Sequence, residues 1–241
     1  PLQPKSCLMP VQPMGARLGI IRLWCERLKN WPTLKLARSL NSSVSMSSTL
    51  LVYLHGFRSS PRSSKAVMTG EAVRALSTST NPIEWYCPQL LASPKESMAM
   101  VTKHIDASKA HRVVVIGSSL GGFYANYLAE KYGCKAVVLN PAVRAARELA
   151  PHVGMMTAYD SDEPFDFRSE YIDELKALQI EAITLPQRYF LIAAKGDELL
   201  DWREMVDFYP GANHLVLEGS DHGIVDYADH LPLVLEFITG S

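Results

Sequence analysis

Several broad classes are excluded by what the chain lacks. No apolar run approaches the roughly 18–20 residues that a bilayer-spanning helix requires, which excludes a helical membrane protein. Neither sign of charge dominates: 24 Lys and Arg face 25 Asp and Glu, a net of -1, so no broad basic surface for nucleic acid is expected. Cysteine is scarce. The four, Cys7, Cys25, Cys87 and Cys134, form no CxxC pair and no dense framework, so neither a zinc site nor a disulfide-stapled scaffold is signalled. A reducing, cytoplasmic setting is the simpler expectation, with Cys87 and Cys134 as structural thiols. No internal repeat is visible. What is present is 47% hydrophobic residues over 241 positions, with 14 Gly and 15 Pro, a soluble globular composition that can bury a sizeable core.

The first stretch differs from the rest. Within residues 1–45, Lys5, Arg17, Arg22, Arg27, Lys29, Lys35 and Arg38 stand against the single acid Glu26, so the remainder is mildly acidic. As a secretory signal this leader fails, because Arg22 and Glu26 break up its best apolar stretch, around Leu18 to Trp24. We expect residues 1–46 to be a basic, Ser-rich extension, a tail or transit peptide, with residues 47–241 as the functional domain and Met46 as the natural start.

From Ser47 onward short β-rich runs alternate with helix-compatible segments, the signature of a parallel α/β sheet. The expected strands are Leu50 to Leu54, Ile83 to Cys87, Arg112 to Ile116, Ala136 to Leu139, Arg188 to Ala194 and His214 to Glu218. Helices are expected at Ser63 to Leu76, Lys95 to Ala107, Gly122 to Tyr132, Asp201 to Tyr209 and Val225 to Ile238. Ser93-Pro94 and Asp201 offer N-caps, and Gly133 offers a stop. One interval breaks the rhythm. Residues 143–187 are too long for an ordinary crossover and mix Met155, Met156, Tyr159, Phe165, Phe167 and Tyr171 with acids that include Asp160, so they read as a cap-like insertion, covering a pocket or packing its aromatics on the core.

Three features fall at carboxyl ends of expected strands, where open α/β sheets place their ligands. Gly117-Ser118-Ser119-Leu120-Gly121-Gly122 follows one strand and precedes a helix, satisfying G-x-S-x-G with Ser119 at its centre. A turn tight enough to project that hydroxyl leaves no room for side chains two positions either side. Lys195-Gly196-Asp197-Glu198 and Gly219-Ser220-Asp221-His222-Gly223 follow two later strands. The order Ser, acid, His is that of an α/β-hydrolase triad. A serine hydroxyl needs an imidazole to take its proton, and the imidazole needs a carboxylate to fix its tautomer. That makes Ser119 the nucleophile, His222 the base and Asp197 the orienting acid. Asp221, adjacent to His222, points away from the ring, and Glu198 and Asp201 are reserve acids. The oxyanion requires two backbone N–H donors: Leu120 supplies one, and Phe57, in Leu54-His55-Gly56-Phe57-Arg58, is our choice for the other. His55 and Gly56 shape that turn. The other histidines show no metal-ligand spacing, and no metal or cofactor is expected.

These stretches resemble the YqiA/YcfP-type esterases, a bacterial branch of the α/β-hydrolase superfamily. The match includes Tyr53-Leu54-His55-Gly56-Phe57 with Ser59-Ser60-Pro61-Arg62-Ser63-Ser64-Lys65-Ala66, then the Ser119 stretch, Asn140-Pro141-Ala142-Val143, Gly196-Asp197-Glu198 and Gly219 to His222. It spans Leu50 to about Phe237 and leaves the leader outside. The resemblance implies a compact α/β-hydrolase fold, a mostly parallel six-stranded sheet with helices on both faces, and the same Ser119, Asp197 and His222. It also implies hydrolysis of carboxylic esters or acyl thioesters. Arg58, Arg62 and Lys65 stand near the expected mouth, and Arg58 and Arg62 are candidate substrate-binding residues for the phosphates of an acyl-CoA-like thioester. Two other readings stand beside the esterase: an amidase or peptidase using the same triad, and a non-catalytic binding protein on a hydrolase scaffold.

Overall fold

Among the described residues there are eight strands, most of them runs rich in Leu, Val, Ile, Tyr and Ala: β1 (Thr49–Leu54), β2 (Ile83–Tyr86), β3 (Arg112–Ser118), β4 (Lys135–Leu139), β5 (Gly154–Thr157), β6 (Pro164–Phe167), β7 (Tyr189–Ala194) and β8 (Asn213–Leu217). Six of them form one sheet in the order β2-β1-β3-β4-β7-β8, with every pairing parallel. The computed structural model describes residues 48–159 and 161–240. The expectations about the leader and Met46, and the acid Asp160, lie outside the described residues.

Both β1 and β7 are buried along their whole length, which is why their sequences carry no polar alternation. Leu50, Val52, Leu54, Val115, Val138 and Leu191 turn to one face and share a core with α2 (Pro94–Ala107) and α3 (Leu120–Tyr132). The other face buries Leu51, Tyr53, Val114 and Ile116, and there α1 (Ser64–Leu76) packs against α7 (Tyr227–Thr239). Every expected strand and helix is present, with ends within two residues of those expected. β3 runs past Ile116 because Gly117 and Ser118 continue the ladder opposite Val138 and Leu139.

Local capping explains several ends. The Ser93 hydroxyl accepts the Glu96 N–H at 3.1 Å with Pro94 as the first helical residue, and Asp201 accepts the Arg203 N–H at 2.9 Å to start α6 (Trp202–Phe208). Gly133, at φ +65°, ends α3.

The 143–187 interval has a structure of its own. It contains α4 (Ala145–Leu149), the antiparallel β5–β6 hairpin and α5 (Glu170–Leu178). Phe167 and Leu175 are fully buried, so the insertion is docked on the core rather than looped out. Glu174 reinforces the docking. One of its oxygens accepts the Ser93 hydroxyl at 2.6 Å and the Lys95 N–H at 3.0 Å, so α5 caps the N-terminus of α2. Met155 and Tyr159, each 68% exposed, face outward from the hairpin. Among the described residues no helix is long and apolar enough to cross a membrane.

Candidate active site

The sheet order fixes where a site can form. β1 has β2 on one side and β3 on the other, so the chain leaves β1 in one direction and returns beyond it, opening a crevice at the carboxyl ends of β1 and β3. Ser119 lies at the end of β3 and the His55–Phe57 segment at the end of β1.

Ser119 adopts φ 56°, ψ -120°, a sparsely populated conformation that costs about 1–3 kcal/mol and persists only where surroundings over-determine it. Here they do. Its N–H donates to the Leu139 carbonyl at 3.0 Å, and its carbonyl accepts the N–H groups of Gly122 at 2.8 Å and Ala142 at 3.0 Å. The turn also requires close approach: a Cβ on Gly117 would lie 2.0 Å from the Gly121 carbonyl oxygen, and one on Gly121 would lie 2.0 Å from that of Leu54.

The structure brings Ser119, His222 and Asp197 together. His222 Nε2 lies 3.1 Å from the Ser119 hydroxyl, and Nδ1 lies 2.7 Å from Asp197 Oδ2. The Asp197 side chain is fully buried, and that of His222 is 18% exposed. A carboxylate can only accept, so Nδ1 carries the proton and Nε2 presents its lone pair to the serine. The other carboxylate oxygen accepts the Leu199 and Leu200 N–H groups at 2.8 and 2.9 Å, which locks the acid's orientation. Asp221 instead accepts the Val225 N–H at 3.2 Å, Glu198 accepts the His222 N–H at 3.1 Å, and Asp201 caps α6.

Phe57, just after β1, and Leu120, the first residue of α3, border one groove. Among the described residues neither the Phe57 nor the Leu120 amide donates to a backbone carbonyl. The fully folded-in His55 explains the Phe57 turn: its Nδ1 donates to the Gly56 carbonyl at 3.0 Å while Nε2 accepts the Leu90 N–H at 3.0 Å, so it is a neutral ring bracing two loops. A shallow open groove beside these residues, with room for little more than a water molecule, is lined by His55, Gly56, Phe57, Arg58, Ser59, Leu90, Leu91, Ala92, Leu120, Tyr124 and Phe165.

The basic residues expected at the mouth go different ways. Arg58 Nε donates to the Thr157 carbonyl, and its guanidinium lies 4.4 Å from the centre of the Tyr159 ring. Arg62 is exposed, its N–H donating to the Ser60 hydroxyl at 3.1 Å. Lys65 turns inward, and its ammonium donates to the Gly223 carbonyl on the loop that carries His222. Burial lowers its pKa to about 8, against the opposing pull of the Asp221 and Asp197 carboxylates. Folding therefore disfavours the protonated form. That penalty is complete below about pH 8 and disappears as pH rises toward the ordinary lysine value, so the unfolding free energy of the wild type is expected to rise relative to Lys65→Gln over that interval. Urea titrations at pH 7.5, 9 and 10 check this, and a constant difference would contradict it.

A residue whose role the sequence did not reveal is Asn140. Fully buried at φ 41°, it donates through Nδ2 to the carbonyls of Asp221 at 3.0 Å and His222 at 3.1 Å, and accepts the Ala194 N–H at 2.7 Å. It ties the ends of β4 and β7 to the histidine loop. The Asn-Pro-Ala-Val stretch was the available signal. Asn140→Ala leaves the buried Ala194 N–H and the part-buried His222 carbonyl without their Asn140 partner, while the Asp221 carbonyl keeps the Ile224 N–H at 3.1 Å, so we expect a loss of about 2–4 kcal/mol in unfolding free energy, with kcat falling at least tenfold while KM changes little. Unchanged kcat would show that the loop holds His222 unaided.

Burial pushes the thiols of Cys87 and Cys134 up to about 12, so neither offers a thiolate nucleophile. Among the described residues no group of three or more His, Cys, Asp or Glu is placed to hold a metal ion.

A parallel six-stranded sheet with a strained serine on the turn from β3 to α3 defines an α/β-hydrolase scaffold. An Agrobacterium vitis S4 protein assigned to the hydrolases has the same fold, with a TM-score of 0.66 at 15% identity, covering 82% of this chain and 91% of that one. So does mouse alpha/beta hydrolase domain-containing protein 10, with a TM-score of 0.59 at 15% identity, covering 78% and 89%. Within this class the chain belongs to UPF0227, an uncharacterised protein family whose pattern matches residues 50–239. A UPF0227 protein of Yersinia pestis is 26% identical over 197 residues, covering 79% of this chain and 99% of the relative. The family resemblance read from the sequence is thereby borne out.

Proposed function

We propose that residues 47–241 form a serine hydrolase that cleaves carboxylic esters or acyl thioesters through an acyl-enzyme. The observation that carries this reading is the run of contacts from the Ser119 hydroxyl through both nitrogens of His222 to a fully buried Asp197. Ser119 Oγ bonds to the substrate's carbonyl carbon while its proton passes to His222 Nε2. Asp197 stabilises the resulting imidazolium, and the oxyanion meets the N–H groups of Phe57 and Leu120. The carbon–oxygen or carbon–sulfur bond to the leaving group breaks as His222 returns the proton. Water then repeats the sequence, activated by His222, releasing the acid and restoring the serine. No metal or organic cofactor enters any step.

The apolar side chains that border the groove, Phe57, Leu90, Leu120, Tyr124 and Phe165, support its use for the acyl portion of a small-molecule substrate. The thioester end of the range is motivated by Arg58 and Arg62. A reducing, cytoplasmic setting belongs to the same proposal and is supported by the free thiols Cys87 and Cys134. Treatment with a fluorophosphonate followed by peptide mass spectrometry tests the reading, because the reagent needs an activated serine. A single adduct on Ser119, lost in His222→Ala, is expected. A folded wild-type protein that takes no adduct would favour the binding-protein alternative and overturn the proposal.

A further inference from the structure

The turn that presents the Phe57 amide is strained and does not hold itself. Ser59 N–H closes it onto the Gly56 carbonyl at 3.2 Å, with Arg58 third in the turn at φ 58°, a left-handed conformation that favours glycine. An arginine there needs compensation from outside, and it comes from the β5–β6 hairpin of the insertion. The Arg58 carbonyl accepts the Tyr159 N–H at 2.9 Å, its Nε donates to the Thr157 carbonyl at 2.5 Å, and its guanidinium stacks on Tyr159. The preceding residue is gripped by the same hairpin: the Phe57 ring makes edge contacts with Phe165 and Phe167, at centroid distances of 5.2 and 5.0 Å. Arg58 thus faces a backbone and an aromatic ring, and its Nε and guanidinium face are already engaged by them.

We propose that Arg58 is a positioning residue through which the β5–β6 hairpin holds the Gly56–Ser59 turn, so that the Phe57 N–H aims at the oxyanion. This rests on the serine-hydrolase reading and deepens it: the insertion sets the rate of acyl transfer as well as bounding the cleft. It also gives Arg58 a role other than phosphate recognition. An oxyanion donor acts mainly in the transition state, so its misplacement lowers kcat and leaves KM nearly unchanged.

Arg58→Gly is the informative variant, because glycine accepts the positive φ while losing both side-chain contacts to the hairpin. Steady-state kinetics on a neutral p-nitrophenyl ester and on an acyl-CoA, with fluorophosphonate labelling rates, are expected to show kcat down about ten- to a hundredfold for both substrates. KM should stay within about twofold and the melting temperature close to that of the wild type. Tyr159→Ala, which keeps the Arg58 turn but removes the stacked ring, should show a smaller loss in the same direction, and Arg58→Lys should recover part of the rate through the Thr157 carbonyl. Wild-type kcat in Arg58→Gly would overturn the proposal, and so would a rise in KM confined to acyl-CoA, which would make Arg58 a phosphate ligand. Should Arg58→Gly fail to fold, Tyr159→Ala decides: kcat unchanged there overturns it. A wild type that takes no label at all would sink the serine-hydrolase reading itself, whereas wild-type labelling with an equally fast Arg58→Gly would sink only this inference.

Discussion

Ser119→Ala is expected to lower kcat for any turned-over ester by about 10⁴- to 10⁶-fold while the protein stays folded. The size follows from what is removed. Without Oγ there is no bond to the acyl carbon, and the His222–Asp197 pair, 2.7 Å apart, has no serine proton to move. What is left is the binding cleft and the two amides, which retain only a residual acceleration over water. KM should change little, because the hydroxyl contributes one small contact to the ground state. Stability should move by less than about 1 kcal/mol, since alanine suffers the same strain at φ 56° and the hydroxyl faces a half-exposed cleft. Kinetics and thermal unfolding on the same preparation separate the two effects. Retained hydrolysis at a tenth of the wild-type rate would move the nucleophile elsewhere, and Cys87 and Cys134, with thiols pushed up to about 12, are not credible substitutes.

Much of this arrangement is legible in the sequence because it depends on local chemistry. Buried parallel strands must be nearly uniform in apolar character, and TLLVYL and YFLIAA are. The order of Ser119, Asp197 and His222 at three strand ends is likewise visible, since the sheet alone determines which loops meet. What escapes is whatever depends on a side chain reaching across the fold. The Asn-Pro-Ala-Val stretch draws attention to Asn140 but does not announce that its amide will bridge two carbonyls of the 221–222 segment. Lys65 reads as a cation at the mouth, yet it points to the Gly223 carbonyl. Arg58 reads as a cation at the mouth, and its contacts to the Thr157 carbonyl and the Tyr159 ring are likewise not visible. That hairpin itself is illegible for a related reason: GMMT and PFDF are four-residue strands, too short for periodicity to declare, and their pairing is set by Phe165 and Phe167 packing onto Phe57.

The second large effect is on folding, and it follows from how closely the sheet and α3 approach each other. Gly121→Ala places a methyl carbon 2.0 Å from the Leu54 carbonyl oxygen, 2.5 Å from its carbon and 2.8 Å from the His55 carbonyl oxygen. All three are backbone atoms, so no side-chain rotation relieves the clash. The end of β1 must separate from the start of α3, which breaks contact between a fully buried strand and the helix that carries Leu120. Overpacking of this kind costs about 3 kcal/mol or more, a large share of the roughly 5–15 kcal/mol that stabilises a domain. For a domain of this size that is a fall in melting temperature of about 6–12 °C. Gly219→Ala is the matched comparison, because a Cβ there meets nothing within 4 Å, and its unfolding free energy should stay within about 0.5 kcal/mol of the wild type. Moving β1 also displaces the His55–Phe57 segment, so Gly121→Ala should lose fluorophosphonate labelling even at temperatures where it remains folded. A variant as stable as the wild type, labelled at the same rate, would mean that β1 and α3 have slack the structure does not contain. The same close approach that lets the turn project Ser119 therefore also fixes the end of β1, and with it the His55–Phe57 segment, against the start of α3.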